Sequence, residues 1–184
     1  MAGIAAPATP RSGAAAIVDK LVAVCRVVPY ALVALGLRAL MARLFFLSGQ
    51  ARIEGPVFPL SAIIPGLDFD VILPAQLRDS TFRTFEAQLA DLPVTPAVAA
   101  YLFTYAEIVL PICLVLGFAT RLAALGLLGL TAALQLYVAP SMWWTAHVYW
   151  VAILLVLVTA GPGAISLDAL IRLVYRRDRT PEPA

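Results

Sequence analysis

Residues 97–138 read AVAAYLFTYAEIVLPICLVLGFATRLAALGLLGLTAALQLYV. They hold two apolar runs, Ala97 to Phe118 and Leu122 to Val138, parted only by Ala119, Thr120 and Arg121. A hydrocarbon core about 30 Å thick takes roughly 17–25 helical residues. Backbone polar groups in lipid must be bonded within their own segment. The stretch therefore reads as two membrane-spanning helices in a tight hairpin.

The flanking sequence repeats the pattern. Val27 to Leu47 forms an apolar run before the hairpin, and Trp143 to Ala160 forms one after it. Of the 184 residues, 62% are hydrophobic and 13% charged, against about 45–50% and about 25% in soluble domains. The expected fold is all-α: an integral membrane bundle of four antiparallel transmembrane helices. Gly161-Pro162-Gly163 ends the fourth run, because Pro disrupts a helix and Gly accepts left-handed geometry. Ser166 is a plausible cap for "SLDALIRLVYRR", an amphipathic basic helix expected along the inner leaflet.

The domain reading has three parts: a cytoplasmic tail and juxtamembrane lead-in over 1–26, a membrane domain over 27–163, and an amphipathic helix with a basic tail over 164–184. Residues 1–16 have no apolar h-region, and Pro7, Pro10 and Arg11 interrupt them. A signal peptide is not expected. With both termini inside, inner segments hold Arg11, Lys20, Arg26, Arg121, Arg172, Arg176, Arg177 and Arg179. Outer loops hold only Arg52, Arg78 and Arg83 among more numerous acids. That bias predicts cytoplasmic termini in the inner membrane of a bacterium, to which the Arg-, Ala- and Pro-rich usage points.

The long loop 48–96 is Pro-rich at first, which argues against regular structure there. Phe82, Phe85, Leu89 and Leu92 then recur at helical spacing, with Asp79 and Arg83 as an i,i+4 pair on the wet side. A short helix capping the outer face is expected.

Few residues can carry chemistry. A net charge of +2 with scattered cations excludes nucleic acid as a partner. One histidine and two separated cysteines, Cys25 and Cys113, give no metal site and no intrinsic cofactor. Arg38 and Glu107 fall near the middle of the first two spans. Since those spans run in opposite directions, both are expected at similar depth as an intramembrane polar core. A charge there costs about 2.5–3.5 kcal/mol, which pairing would offset. The pair could be a structural lock or a site for a headgroup, quinone ring or proton, and both readings stay open. Pro111 frees the Glu107 carbonyl from its helical N–H. Arg38, Phe45, Gly49 and Arg52 share one helical face; Arg43 lies off it. His147 and Trp150 sit among Trp143, Trp144 and Tyr149 at the outer edge of the fourth span. That is an aromatic belt, with an imidazole that suits a quinone carbonyl or a proton transfer at the outer rim.

Three segments carry a family resemblance. They are LRALMARLFFLSGQARI (37–53), with Arg38, Phe45, Gly49 and Arg52; AEIVLPICLVLGFATRLAAL (106–125), with Glu107, Gly117, Thr120 and Arg121; and HVYWVAILLVLVTAGPGAISLD (147–168). The last holds His147, Trp150, Gly161, Pro162, Gly163, Ser166 and Asp168. In this order the chain resembles the DoxX family of small four-helix membrane proteins from about Leu37 to Arg172. The resemblance implies a membrane subunit or anchor of a quinone-linked oxidoreductase or redox-stress complex, with quinone as bound substrate, a redox partner subunit, and a homo-oligomer as a further option. The cysteine pairs of some relatives are missing here. No cofactor motif or nucleophile–base set marks a stand-alone enzyme. The alternative is a non-redox scaffold or small-solute permeation protein.

Overall fold

The computed structural model describes residues 29–63, 70–88, 94–138 and 140–177. The predicted N-terminal lead-in, Leu89, Leu92 and the basic tail lie outside the described residues. Four helices are long and apolar enough to cross a membrane: Tyr30–Ala51, Pro96–Leu116, Thr120–Val138 and Pro140–Ala160. We number the helices α1 (Tyr30–Ala51), α2 (Leu60–Ile63), α3 (Asp79–Gln88), α4 (Pro96–Leu116), α5 (Thr120–Ala133), α6 (Val148–Ala160) and α7 (Leu167–Arg177). The third span finishes with a π-helical turn, Leu134–Val138, and the fourth opens with another, Trp143–His147.

The expected all-α bundle is present, with the largest displacement of a boundary, four residues, at the end of the first span. Ser48, Gly49 and Gln50 read as loop because they are polar, yet α1 continues to Ala51. Tertiary contact explains this. Gly49 is buried, and a Cβ there would lie 2.8 Å from Ile108 Cγ1 and 3.2 Å from the Glu107 backbone. The missing side chain lets α1 and α4 approach closely, as small residues do between membrane helices. Ala99, Ala100, Ala123 and Ala124 are likewise fully or nearly enclosed. Between them lies a core of Met41, Phe45, Leu114, Leu127, Leu154 and Leu157. Large apolar side chains such as Leu102, Leu122 and Leu136 point outward, as lipid-facing positions require.

The long loop, at the end of the bundle called outer after the expected orientation, is more ordered than its prolines suggest. It forms two short antiparallel pairings, β1 (Ile53–Glu54) with β4 (Gln76–Leu77), and β2 (Val57–Phe58) with β3 (Val71–Ile72). The Gln50 side chain holds the returning strand by accepting from the Ile72 amide (2.6 Å) and donating to its carbonyl (3.2 Å). Helix α3 packs on α4, with Phe85 buried against Phe103 at 5.6 Å between ring centroids. The expected capping helix is there, but Asp79 and Arg83 make no ion pair. Both are exposed, where such a pair is worth only about 0.3–0.5 kcal/mol.

Candidate functional site

Arg38 and Glu107 are both buried, at 1% and 0% exposure, but they are not partners. The antiparallel register places Gly49 beside Glu107, whereas Arg38 Nη1 approaches Gly117. Ten residues separate Glu107 from Gly117, about 15 Å at 1.5 Å per residue. The single polar core expected from the sequence is therefore two polar layers, Glu107 at the middle of α4 and Arg38 beside the end of α4 at Gly117. Placing residues by the midpoints of their apolar runs failed because α1 is displaced along α4, with Gly49 near the outer end of α1 facing Glu107 at the middle of α4.

The layer nearer the start of α1 and the end of α6 is built on Arg38. Its Nη1 donates to the carbonyls of Pro162 and Ile165, and its Nη2 to that of Val115, each at 2.8 Å. These carbonyls are in the last turn of α4 and in the exit from α6, where helices leave acceptors unpaired. Gly161 and Gly163 take φ of 85° and 78°, the left-handed geometry that turns the chain away after Ala160. The Tyr30 hydroxyl donates to Gly161 O at 2.8 Å, and Ser166 caps α7 by accepting from the Ala169 amide at 3.1 Å. Asp168 reaches across to accept from the amides of Ala119 (2.8 Å) and Thr120 (2.9 Å). It thereby caps α5 and holds Ala119 at φ 46°, a conformation that costs a non-glycine residue about 1–2 kcal/mol.

Burial alone pushes the Asp168 carboxyl upward, but those amide bonds, together with the nearby Arg172, hold it below its ordinary range. A folded value below the unfolded one means that the stabilisation is complete above about pH 4. It is lost as pH falls through the folded value. Asp168→Asn should therefore cost about 1 kcal/mol at neutral pH, the usual worth of an N-cap. It should also flatten the acid limb of thermal stability measured against pH in detergent.

The outer layer is built on Glu107. Arg52 Nη1 lies 2.8 Å from Glu107 Oε2, with the Glu107 side chain 1% exposed and that of Arg52 24%. The Arg52 guanidinium is thus the ion-pair partner of the buried carboxylate, and the Ser48 side chain interacts with the same carboxylate from α1. Thr104, one turn before Glu107, is fully buried with its hydroxyl unpartnered. The Arg52 guanidinium also stacks 5.4 Å above Phe85, so it links the buried carboxylate to the outer cap.

His147 is at the outer end of the bundle but inside it, 4% exposed. Its Nδ1 lies 2.6 Å from Gln135 Oε1, while Gln135 Nε2 donates to Pro140 O at 2.8 Å. The second bond fixes the amide orientation. Oε1 must accept, so Nδ1 carries the proton and Nε2 keeps its lone pair in the neutral ring. Gln135 and His147 occupy the two facing π-helical turns, a geometry that departs from the α-period and recurs at functional positions. The aromatic cluster divides: Trp144 and Tyr149 are 76% and 61% exposed and suit the headgroup belt. Trp150 turns inward, 5.0 Å from the His147 ring and 5.7 Å from Phe45. The expected rim residues His147 and Trp150 thus pack together, His147 buried and Trp150 half-buried.

Three features escaped the sequence reading: Arg52 as the partner of Glu107, Gln135 as the partner of His147, and the setting of Arg43. Arg43 is exposed in the outer half of α1, with no ion pair or side-chain hydrogen bond among the described residues. It borders an otherwise apolar groove of about 410 Å³ between α1 and α4, lined also by Phe46, Pro111, Ile112 and Val115. Leu60 and Val71 of the outer loop close its flank. The usable signal was a cation in an apolar run, off the Arg38–Gly49 stripe.

The sequence matches the family model described as DoxX over residues 33–140, more than half of the chain. Neither the curated proteins nor the solved structures provide a match.

Proposed function

The chain belongs to the DoxX family, and we propose that within it this protein is the membrane subunit of a quinone-linked oxidoreductase, anchoring a redox partner. We place it in a bacterial inner membrane with both termini cytoplasmic, as the Arg distribution favours. The carrying observation is the α1/α4 groove with Arg43 as the one cation in its lining, unpaired among the described residues. Arg43 is eight residues from Ala51, about 12 Å inside the outer end of α1. An anion taken to that depth without water is costly, but an uncharged ring with carbonyl acceptors is not. A quinone fits: its carbonyl accepts from Arg43 while its tail follows Phe46, Ile112 and Val115. Glu107, one turn from the groove-lining Pro111, supplies a neighbouring polar centre. The apolar layer between the two polar layers supports an anchor over a solute-permeation protein.

The test begins with purification of the tagged chain from its native membrane and mass spectrometry of what accompanies it. A stoichiometric redox protein is the expected companion. In that complex, Arg43→Gln should raise the KM for decylubiquinone about tenfold, the worth of one charge-assisted bond, with abundance held. Parallel loss of abundance and turnover, or a chain that purifies alone, would count against this reading.

A further inference from the structure

At the end of the bundle where α1 begins and α6 ends, Tyr30, Arg121, Ala160, Gly161, Arg172 and Leu173 surround a cavity of about 380 Å³. Its level in the membrane follows from the helices themselves. Span α1 begins at Tyr30, α5 begins at Thr120 and α6 ends at Ala160, so the cavity lies where hydrocarbon gives way to headgroups. Beside it α7 exposes Leu170, Ile171, Leu173 and Val174, as expected of a helix lying in the interface plane.

Among the described residues, the cavity has positive charge without a counter-ion in contact. Arg121 makes one long hydrogen bond, Nη2 to the Thr159 carbonyl at 3.3 Å, and no ion pair among the described residues. Arg172 has an acid nearby in Asp168, but that carboxylate is occupied by the amides of Ala119 and Thr120, and no Arg172–Asp168 contact reaches ion-pair distance. Two guanidiniums bordering one cavity repel each other until an anion enters. Arg matches the geometry of phosphate oxygens and donates to two of them at once. Apolar surface from Ala160, Ala169 and Leu173 continues the lining, which suits a ligand whose phosphate bears acyl chains. A zwitterionic headgroup would bring a second cation to the same place.

We propose that this cavity binds the phosphate of an anionic phospholipid, one lipid per chain, between Arg121 and Arg172. The inference does not depend on the quinone reading. It is tested by native mass spectrometry of the full-length protein in detergent containing phosphatidylglycerol and phosphatidylcholine. The wild type is expected to retain one phosphatidylglycerol with a preference of about tenfold or more, each basic side chain at a membrane surface contributing about 1 kcal/mol. R121Q/R172Q loses that preference. R176Q/R177Q, which removes equal charge from the same helix region outside the cavity, keeps it. If the double variant does not fold, R121Q and R172Q singly serve, each lowering the preference several-fold.

Retention by the double variant, or equal retention of phosphatidylcholine by the wild type, overturns the proposal. So does displacement of the lipid by excess inorganic phosphate, which identifies free phosphate as the ligand.

Discussion

Arg38→Met is expected to destabilise the folded bundle by about 3 kcal/mol or more, because three carbonyls lose their donor together. A buried unsatisfied polar group costs about 1–3 kcal/mol, and lipid supplies no water to replace the guanidinium. Removing a charge from the membrane also lowers an insertion cost, of about 2.5–3.5 kcal/mol at mid-bilayer. That gain is shared by any state in which the helix is already inserted, so it does not offset the lost bonds. Arg38→Lys should rescue less than half of the loss. Its single ammonium cannot reach Pro162, Ile165 and Val115 at once as the fork of Arg38 does. Unfolding in mixed detergent measures both variants, and a near-wild-type Arg38→Met midpoint would remove Arg38 from its structural role.

Glu107→Ala is expected to cost about 2–3 kcal/mol. Breaking a fully buried pair costs about 3–5 kcal/mol because the remaining charge is stranded. Arg52 is 24% exposed in its side chain, so its guanidinium can turn toward the outer surface and recover part of that. The order of the two effects follows from burial: Arg38 is enclosed, and Arg52 is at a boundary. Glu107→Gln, which keeps the shape and loses the charge, should fall between wild type and Glu107→Ala in the same unfolding measurement.

The four spans were legible because lipid makes one demand, a long apolar helix, and the apolar runs state it directly. Gly161-Pro162-Gly163 and the Ser166 cap were legible too, since each follows from local backbone preference; the tight hairpin was legible, but its link is Gly117-Phe118-Ala119 rather than Ala119-Thr120-Arg121. The depth of Arg38 relative to Glu107 was not. It depends on how α1 slides along α4, and that register is set by Gly49 fitting against the Glu107 backbone, a contact between residues 58 positions apart. The bond between Gln135 and His147 was hidden for another reason. Both residues sit on π-helical turns, and a 3.6-residue period misplaces the faces of such turns. Arg43 drew no role from the sequence because a long Arg stem in a membrane helix can simply snorkel; only the neighbouring groove gives it a context.

The separation of the two layers also assigns the charged residues unequal work. Arg38 spends its donors on the backbone of the bundle's own turns, which is architecture. Glu107 is held by a side chain, Arg52, rather than by backbone, beside an unpartnered Thr104 hydroxyl and one turn from a residue that borders the groove, which is where chemistry can be placed. The measurement that tests this division most directly is a pair of double-mutant cycles for unfolding in detergent, one on Arg52 and Glu107 and one on Arg38 and Glu107. Two separate layers predict a coupling above about 1 kcal/mol for Arg52 with Glu107, and additivity within about 0.5 kcal/mol for Arg38 with Glu107, as for residues beyond about 10 Å. Strong coupling between Arg38 and Glu107, with none between Arg52 and Glu107, would contradict the account.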